Sequence, residues 1–267
     1  MTTDKAEQIK IAVREHYADL VKSDASCCSS SNCCGPEINI EADFKGKFAN
    51  QNEYTDVQLS SIPTDAIENS FGCGNPLMYA DICEGEVVLD LGSGAGIDVL
   101  LAAQHVGESG RAIGIDMTPE MIEKARKNAA EAGAKNVEFR LGEIESMPVE
   151  DESVDLIISN CVINLAPDKD IVFREAHRVL KPGGKLLVSD IVANHLPNWL
   201  RSTISNWANC ISGALTEYQY IDSIRRAGLD EIQMFSKSPY AKIGKAEVAS
   251  IKVRALKPND SRNMQSR

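Results

Sequence analysis

Val87-Val-Leu-Asp-Leu-Gly-Ser-Gly-Ala-Gly96 decides the fold: an apolar, β-branched run breaks into three alternating glycines just before a helical pattern begins. The run reads as a buried strand and the glycines as a tight strand-to-helix turn, where a ligand can approach the backbone closely. An acid, Asp90, stands two residues before the first glycine. The spacing is Gly-x-Gly-x-Gly, not the dinucleotide Gly-x-Gly-x-x-Gly, and no Lys-Ser/Thr pair follows as a phosphate-cradling loop needs.

Outward from this turn the chain alternates. Ile97 to His105 reads as a helix, Arg111 to Asp116 as a strand, Pro119 to Ala132 as a helix and Val137 to Leu141 as a strand. Val154 to Ser159 is a fourth strand, Asp168 to Leu180 a helix stopped by Lys181-Pro-Gly-Gly, and Lys185 to Asp190 a fifth strand. Such alternation implies a parallel sheet with helices on both faces. Asn198 to Gly213 and Tyr218 to Ala227 read as helices, Glu231 to Phe235 and Ala249 to Ala255 as closing strands. Ile9, Val13, Tyr17 and Leu20 predict an amphipathic helix over Lys5 to Lys22, and Ile38 to Asn69 reads as loops with short helical pieces.

With 267 residues the chain can bury a large core. Its net charge of −11 disfavours nucleic acid or an anionic membrane as the main partner. No stretch is long and apolar enough to span a bilayer and no apolar leader opens the chain, so a cytoplasmic location is expected. Eight cysteines in a long chain of this kind point to metal, metalloid or redox chemistry rather than a disulfide framework.

Asp116 closes the second strand roughly 20 residues past the glycines, where a carboxylate can accept hydrogen bonds from both hydroxyls of a ribose. With the glycine loop it marks a nucleoside site at the carboxyl edge of the sheet. These segments, together with Gly114-Ile-Asp-Met-Thr-Pro-Glu-Met, Leu141-Gly-Glu-Ile-Glu and Arg178-Val-Leu-Lys-Pro-Gly-Gly184, resemble the class I S-adenosylmethionine methyltransferases. The resemblance implies an α/β, Rossmann-like seven-stranded sheet with helices on both faces, plus an N-terminal and a C-terminal substrate-binding lobe. It implies that Asp90, Gly92, Ser93, Gly94 and Gly96 hold the methionine part of the cofactor and Asp116 the ribose. Met117 and Ile144 would flank the adenine, Glu143 would take its amine, and Asn160 would complete the cofactor site.

Three cysteines stand in telling places: Cys73 in Phe71-Gly-Cys-Gly-Asn-Pro76, Cys161 just after the fourth strand, and Cys210 in Trp207-Ala-Asn-Cys-Ile-Ser-Gly-Ala-Leu215. A buried free cysteine is ordinarily a small hydrophobe, but glycines flank Cys73 and an amide precedes Cys161, where burial gains little. These motifs, in this order, resemble those of the arsenite methyltransferases, and the likeness runs to Met234. It implies that Cys73, Cys161 and Cys210 hold As(III), arriving as thiol adducts of arsenite or methylarsenite. It further implies that one N-terminal cysteine joins a disulfide relay restored by a reductant such as thioredoxin or glutathione. Cys27, Cys28, Cys33 and Cys34 are the candidates for that relay or for metalloid capture, and an inert loop is the alternative. Trivalent arsenic is soft and selects thiolates. Cys83 reads as scaffold, and the acids Glu145, Asp151 and Glu152 as solvated. Trp207 is expected on the same helical face as Cys210.

The implied organisation is residues 1–80 as N-terminal helix, Cys-rich loop and cap, and 81–195 as the cofactor-binding core. Residues 196–256 follow as substrate-lobe helices and closing strands, and 257–267 as a disordered tail. Two rival readings are a carbon methyltransferase of quinone or sterol type, and a non-catalytic thiol metalloid binder.

Overall fold

The computed structural model describes residues 3–22, 53–202, 207 and 210–259. Cys27, Cys28, Cys33 and Cys34, with the relay or capture role expected of them, lie outside the described residues.

The chain opens with helix α1 (Thr3–Lys22), followed by short helices α2 (Asp56–Ser60) and α3 (Thr64–Glu68). Strand β1 (Val87–Leu91), helix α4 (Ile97–Val106), β2 (Arg111–Asp116), α5 (Pro119–Glu131) and β3 (Val137–Leu141) form the first half of the sheet. The second half comprises β4 (Val154–Asn160), α6 (Lys169–Val179), β5 (Leu180–Asn194), α7 (Asn198–Ser202), α8 (Glu217–Arg226), β6 (Asp230–Ile243) and β7 (Ala246–Leu256). The strands make one seven-stranded sheet in the order β3-β2-β1-β4-β5-β7-β6. The first five are parallel, and β7 runs antiparallel between β5 and β6. The expected Rossmann-like sheet is therefore present.

Each face is covered, which is why the central strands read as mostly apolar runs. On one face α4 and α5 bury Leu100, Leu101, Ile122 and Ala125 against Val88, Leu156 and Ile158. On the other, Val172, Phe173, Tyr220 and Ile224 of α6 and α8 pack against Leu89, Ile157 and Leu186. Phe173 and Tyr220 meet edge to face with centroids 5.4 Å apart, a geometry worth about 0.5–1.5 kcal/mol beyond area burial. A third apolar cluster caps the carboxyl end of the sheet. It joins Ile9 and Val13 of α1 to Cys73, Cys161, Trp207 and Cys210.

Several expectations shift. Strand β5 begins at Leu180 and runs straight through Lys181-Pro-Gly-Gly, because Leu180 pairs with Val154 and the Gly183 and Gly184 backbone bonds Lys257. Lys257 is accordingly not part of a loose tail: its ammonium is buried against Glu152 and the Leu180 carbonyl. The helix expected over Asn198 to Gly213 is described only to Ser202, and Cys210 has φ +58°, incompatible with a helix interior. Trp207 and Cys210 therefore do not share a helical face, although both are buried. In α1 the buried positions are Ile9, Val13, Ala18 and Val21, while Leu20 is exposed. Cys83 is exposed and its thiol faces the Asp81 carbonyl, so it is not scaffold.

Candidate active site

A cleft enclosing about 930 Å³, part of it open to solvent, lies at the carboxyl ends of β1, β2 and β4. Its floor is the glycine loop. Gly92, Gly94 and Gly96 all have positive φ, and a side chain at Gly92 would strike Val162 at 2.4 Å. At Gly94 the nearest atom to an added Cβ is 3.9 Å away, so this stretch of backbone faces open space. The Ser93 hydroxyl is buried without a partner. That is the condition of a loop shaped for an occupant.

Four carboxylates line the cleft: Asp90, Asp98, Asp116 and Glu145. Burial holds all four above the ordinary carboxylate range, Asp98 at about 6, and Asp90 is raised further by its neighbours Asp98 and Asp116. Asp116 accepts the Gly94 N–H at 3.0 Å and the Thr118 N–H at 2.8 Å, which fixes its carboxylate at the end of β2. A buried cluster of acids beside an apolar wall of Met117, Met121 and Ile144 suits a ligand that brings positive charge, hydroxyls and a flat apolar ring. S-adenosylmethionine has these properties, so the residues fit it.

Glu143 lines an outer groove beside the cleft and meets Lys10 of α1, itself a cleft residue, at 2.5 Å. Glu145, expected to be solvated, is instead 13% exposed, lines the cleft and meets the same Lys10 at 3.4 Å. Asn160 also lines the cleft, but its carboxamide is fully engaged. Its Oδ1 accepts the N–H groups of Cys73 (3.0 Å) and Gly74 (3.2 Å), and its Nδ2 donates to the Gly74 carbonyl (2.6 Å) and Asp98 (3.2 Å). Nothing on that amide is left for a ligand. Among the other acids, Asp151 pairs with Arg178 and Glu152 with Lys257.

The three motif cysteines meet where the cleft runs under the third apolar cluster. Cys73 and Cys161 are joined by a disulfide, so the three free thiolates expected as a ligand set are not assembled in this state. Cys210 remains a buried free thiol that donates to the Cys161 carbonyl at 2.9 Å. Burial pushes the Cys210 thiol far above the ordinary range, and only Tyr17, hydrogen-bonded to it, and the Lys169 charge pull the other way. Cys161 (φ +62°) and Cys210 both hold left-handed backbone, costing about 1–3 kcal/mol each in a non-glycine residue. Strain of this size persists where the surroundings over-determine it.

Sequence reasoning missed the supports of these thiols. Lys169, the first residue of α6, is buried, with its ammonium on the Asn164 and Ala166 carbonyls and 5.0 Å from the Trp207 ring centroid. Burial brings it down to about 8. Gly213 lets this cluster close: a Cβ there would lie 2.0 Å from the Asn164 carbonyl oxygen. No local signal marks Lys169 or Tyr17; Gly213 was visible only as a glycine.

A family model described as a methyltransferase domain matches residues 82–240. The arsenite methyltransferase of Halobacterium salinarum is 42% identical over 240 residues, covering 86% of this chain and 60% of that protein. That of Mus musculus is 35% identical over 220 residues, covering 79% of this chain and 55% of its own length. The crystal structure of an arsenic(III) S-adenosylmethionine methyltransferase from Chlamydomonas reinhardtii aligns with a TM-score of 0.71 at 39% identity, covering 76% of this chain and 73% of that one. The chain belongs to the arsenite methyltransferase family. It spans little more than half the length of the two curated relatives. Among the described residues no helix is long and apolar enough to cross a membrane.

Proposed function

We propose that this arsenite methyltransferase family member methylates trivalent arsenic bound by cysteine thiolates, acting on arsenite and methylarsenite delivered as thiol adducts. The observation that carries the reading is the meeting of Cys73, Cys161 and Cys210 beside a cleft walled by four carboxylates.

S-adenosylmethionine, when bound, supplies a methyl group on a positively charged sulfur. Asp116 would hold its ribose, Asp90 and the glycine loop its amino-acid end, and Met117 and Ile144 its adenine. On the acceptor side the Cys73–Cys161 disulfide must first be reduced. Each thiol then displaces one carrier thiolate of the adduct and passes its proton to it, releasing three carrier thiols from arsenite or two from methylarsenite and leaving the arsenic held by the protein's sulfurs. That arsenic keeps its lone pair, so it needs no general base to become a nucleophile. Positioning contributes most of the rate, and the buried walls exclude water from the displacement.

Methyl transfer raises arsenic by two oxidation levels, and two thiols closing into a disulfide return those two electrons. The oxidised Cys73–Cys161 pair has the form such a step would leave. A dithiol reductant such as thioredoxin, or glutathione, would reset it, which suits a reducing cytoplasm. Incubation with arsenite, S-adenosylmethionine and a thiol reductant should yield methylated arsenicals by mass spectrometry. No methylated arsenic under reducing conditions would overturn the reading.

A further inference from the structure

We infer that Asn160 is a positioning residue for the thiol pair: its carboxamide docks the Gly72–Gly74 loop onto the end of β4 and so holds Cys73 against Cys161. The inference stands on the docking geometry and holds whatever substrate the thiols take.

The loop that carries Cys73 precedes β1 in sequence, and Cys161 follows β4, 88 residues later. Something must bring the two together. Asn160 is the residue immediately before Cys161, and it grips the loop on both polarities. Its oxygen accepts the two successive N–H groups of Cys73 and Gly74, and its nitrogen donates back to the Gly74 carbonyl. The orientation is dictated by these partners, since a flipped amide would set an NH2 against two N–H donors. The amide is held from behind by Asp98, whose other oxygen accepts the Tyr54 hydroxyl at 2.8 Å. Gly72 completes the dock: an added Cβ would lie 2.2 Å from the Asn160 nitrogen, so glycine is needed for the loop to seat. Docking fixes the backbone on either side of Cys73. It thereby raises the effective concentration of that thiol at Cys161.

The test is the equilibrium in which the reduced Cys73 and Cys161 thiols plus oxidised glutathione give the protein disulfide plus two reduced glutathiones. Two electrons and two protons pass to glutathione, and the balance reports effective concentration. The full chain is equilibrated over a range of glutathione ratios and quenched in acid. The Cys73–Cys161 linked peptide is then quantified by mass spectrometry. Asn160→Ala and Gly72→Ala should each require a roughly 10-fold or more oxidising ratio to form it, given three hydrogen bonds to one loop. The double variant should lie within about twofold of Asn160→Ala, because removing the carboxamide makes room for the new methyl. A fold merely weakened at two places would shift by the product of the single effects. That product, or an Asn160→Ala equilibrium within about twofold of the parent, would overturn the inference. Should Asn160→Ala fail to fold by circular dichroism, Asn160→Ser takes its place under the same criteria, since it too removes the carboxamide that docks the loop and leaves room for the Gly72 methyl.

Discussion

Replacing Gly213 with Ala puts a methyl group 2.0 Å from the Asn164 carbonyl oxygen, about 1.4 Å short of ordinary contact. The same methyl lies 3.0 Å from the Lys169 ammonium and 3.0 Å from the Trp207 ring, so it has no soft neighbour to displace. Asn164 is fixed by its side-chain bond to the Ile191 carbonyl and by the Lys169 cap, both buried. The segment that yields must then be the one carrying Cys210. Overpacking of this kind costs about 1–3 kcal/mol, which in a chain of this size lowers the melting temperature by roughly 3–10 °C. The larger effect is on chemistry. A shift of more than 1 Å breaks the 2.9 Å contact of Cys210 with the Cys161 carbonyl, and misplacement on that scale costs about 100-fold in rate. The assay pairs a thermal melt with arsenite titration in a Trp199→Phe background, which leaves Trp207 as the emitting residue of the two tryptophans. Arsenite should quench or shift Trp207 in the parent and leave it nearly unchanged in Gly213→Ala. A variant with parental melting, parental arsenite response and methylation within twofold would refute the reasoning.

Three further outcomes follow from the site. Asp98 has a folded pKa of about 6, raised above its unfolded value by burial; the unliganded fold should therefore gain stability as pH falls through 6, and binding of the cationic cofactor should weaken over the same range. Calorimetry at pH 7.5 and 5.5 checks this: Asp98→Asn should flatten the binding slope and reduce the stability slope, whose remainder belongs to Asp190, buried and also raised to about 6; a binding slope that persists would place the titrating group elsewhere. Asp116→Ala should weaken S-adenosylhomocysteine binding by about 10- to 100-fold, at roughly 1.4 kcal/mol per tenfold, and unchanged binding would remove Asp116 from the site. Cys161→Ser and Cys210→Ser should each abolish the first methylation under reductant, and full activity in either would remove that residue from the ligand set.

Much of the sheet was legible because its central strands are buried on both faces and are mostly apolar: Val87 to Leu91 and Val154 to Ser159 keep that character despite Asp90 and Asp155. The edge strand β6 was read too short. Its second half, Ser236-Lys-Ser-Pro239, is polar and contains a proline, as an edge tolerates. The helix read over Asn198 to Gly213 followed a real apolar spacing, but local spacing cannot report that Cys210 must bend into left-handed backbone to face Cys161. The ion pair of Glu143 was illegible for a different reason. Its partner, Lys10, is 133 residues away, and only the docking of α1 brings it there. The cysteine motifs were legible as motifs, whereas the Asn160 dock that unites two of them depends on a loop, a strand end and a helix that sequence order keeps apart.

The register of the sheet has one more consequence. Asp90 stands directly opposite Ile158 on the neighbouring strand, so the glycine loop and Cys161 leave the sheet at nearly the same height, one strand spacing (~4.8 Å) apart. The sheet thus acts as a ruler between donor and acceptor. Changes in the loops alter what is held, but a single-residue insertion within β4 would turn Cys161 to the opposite face.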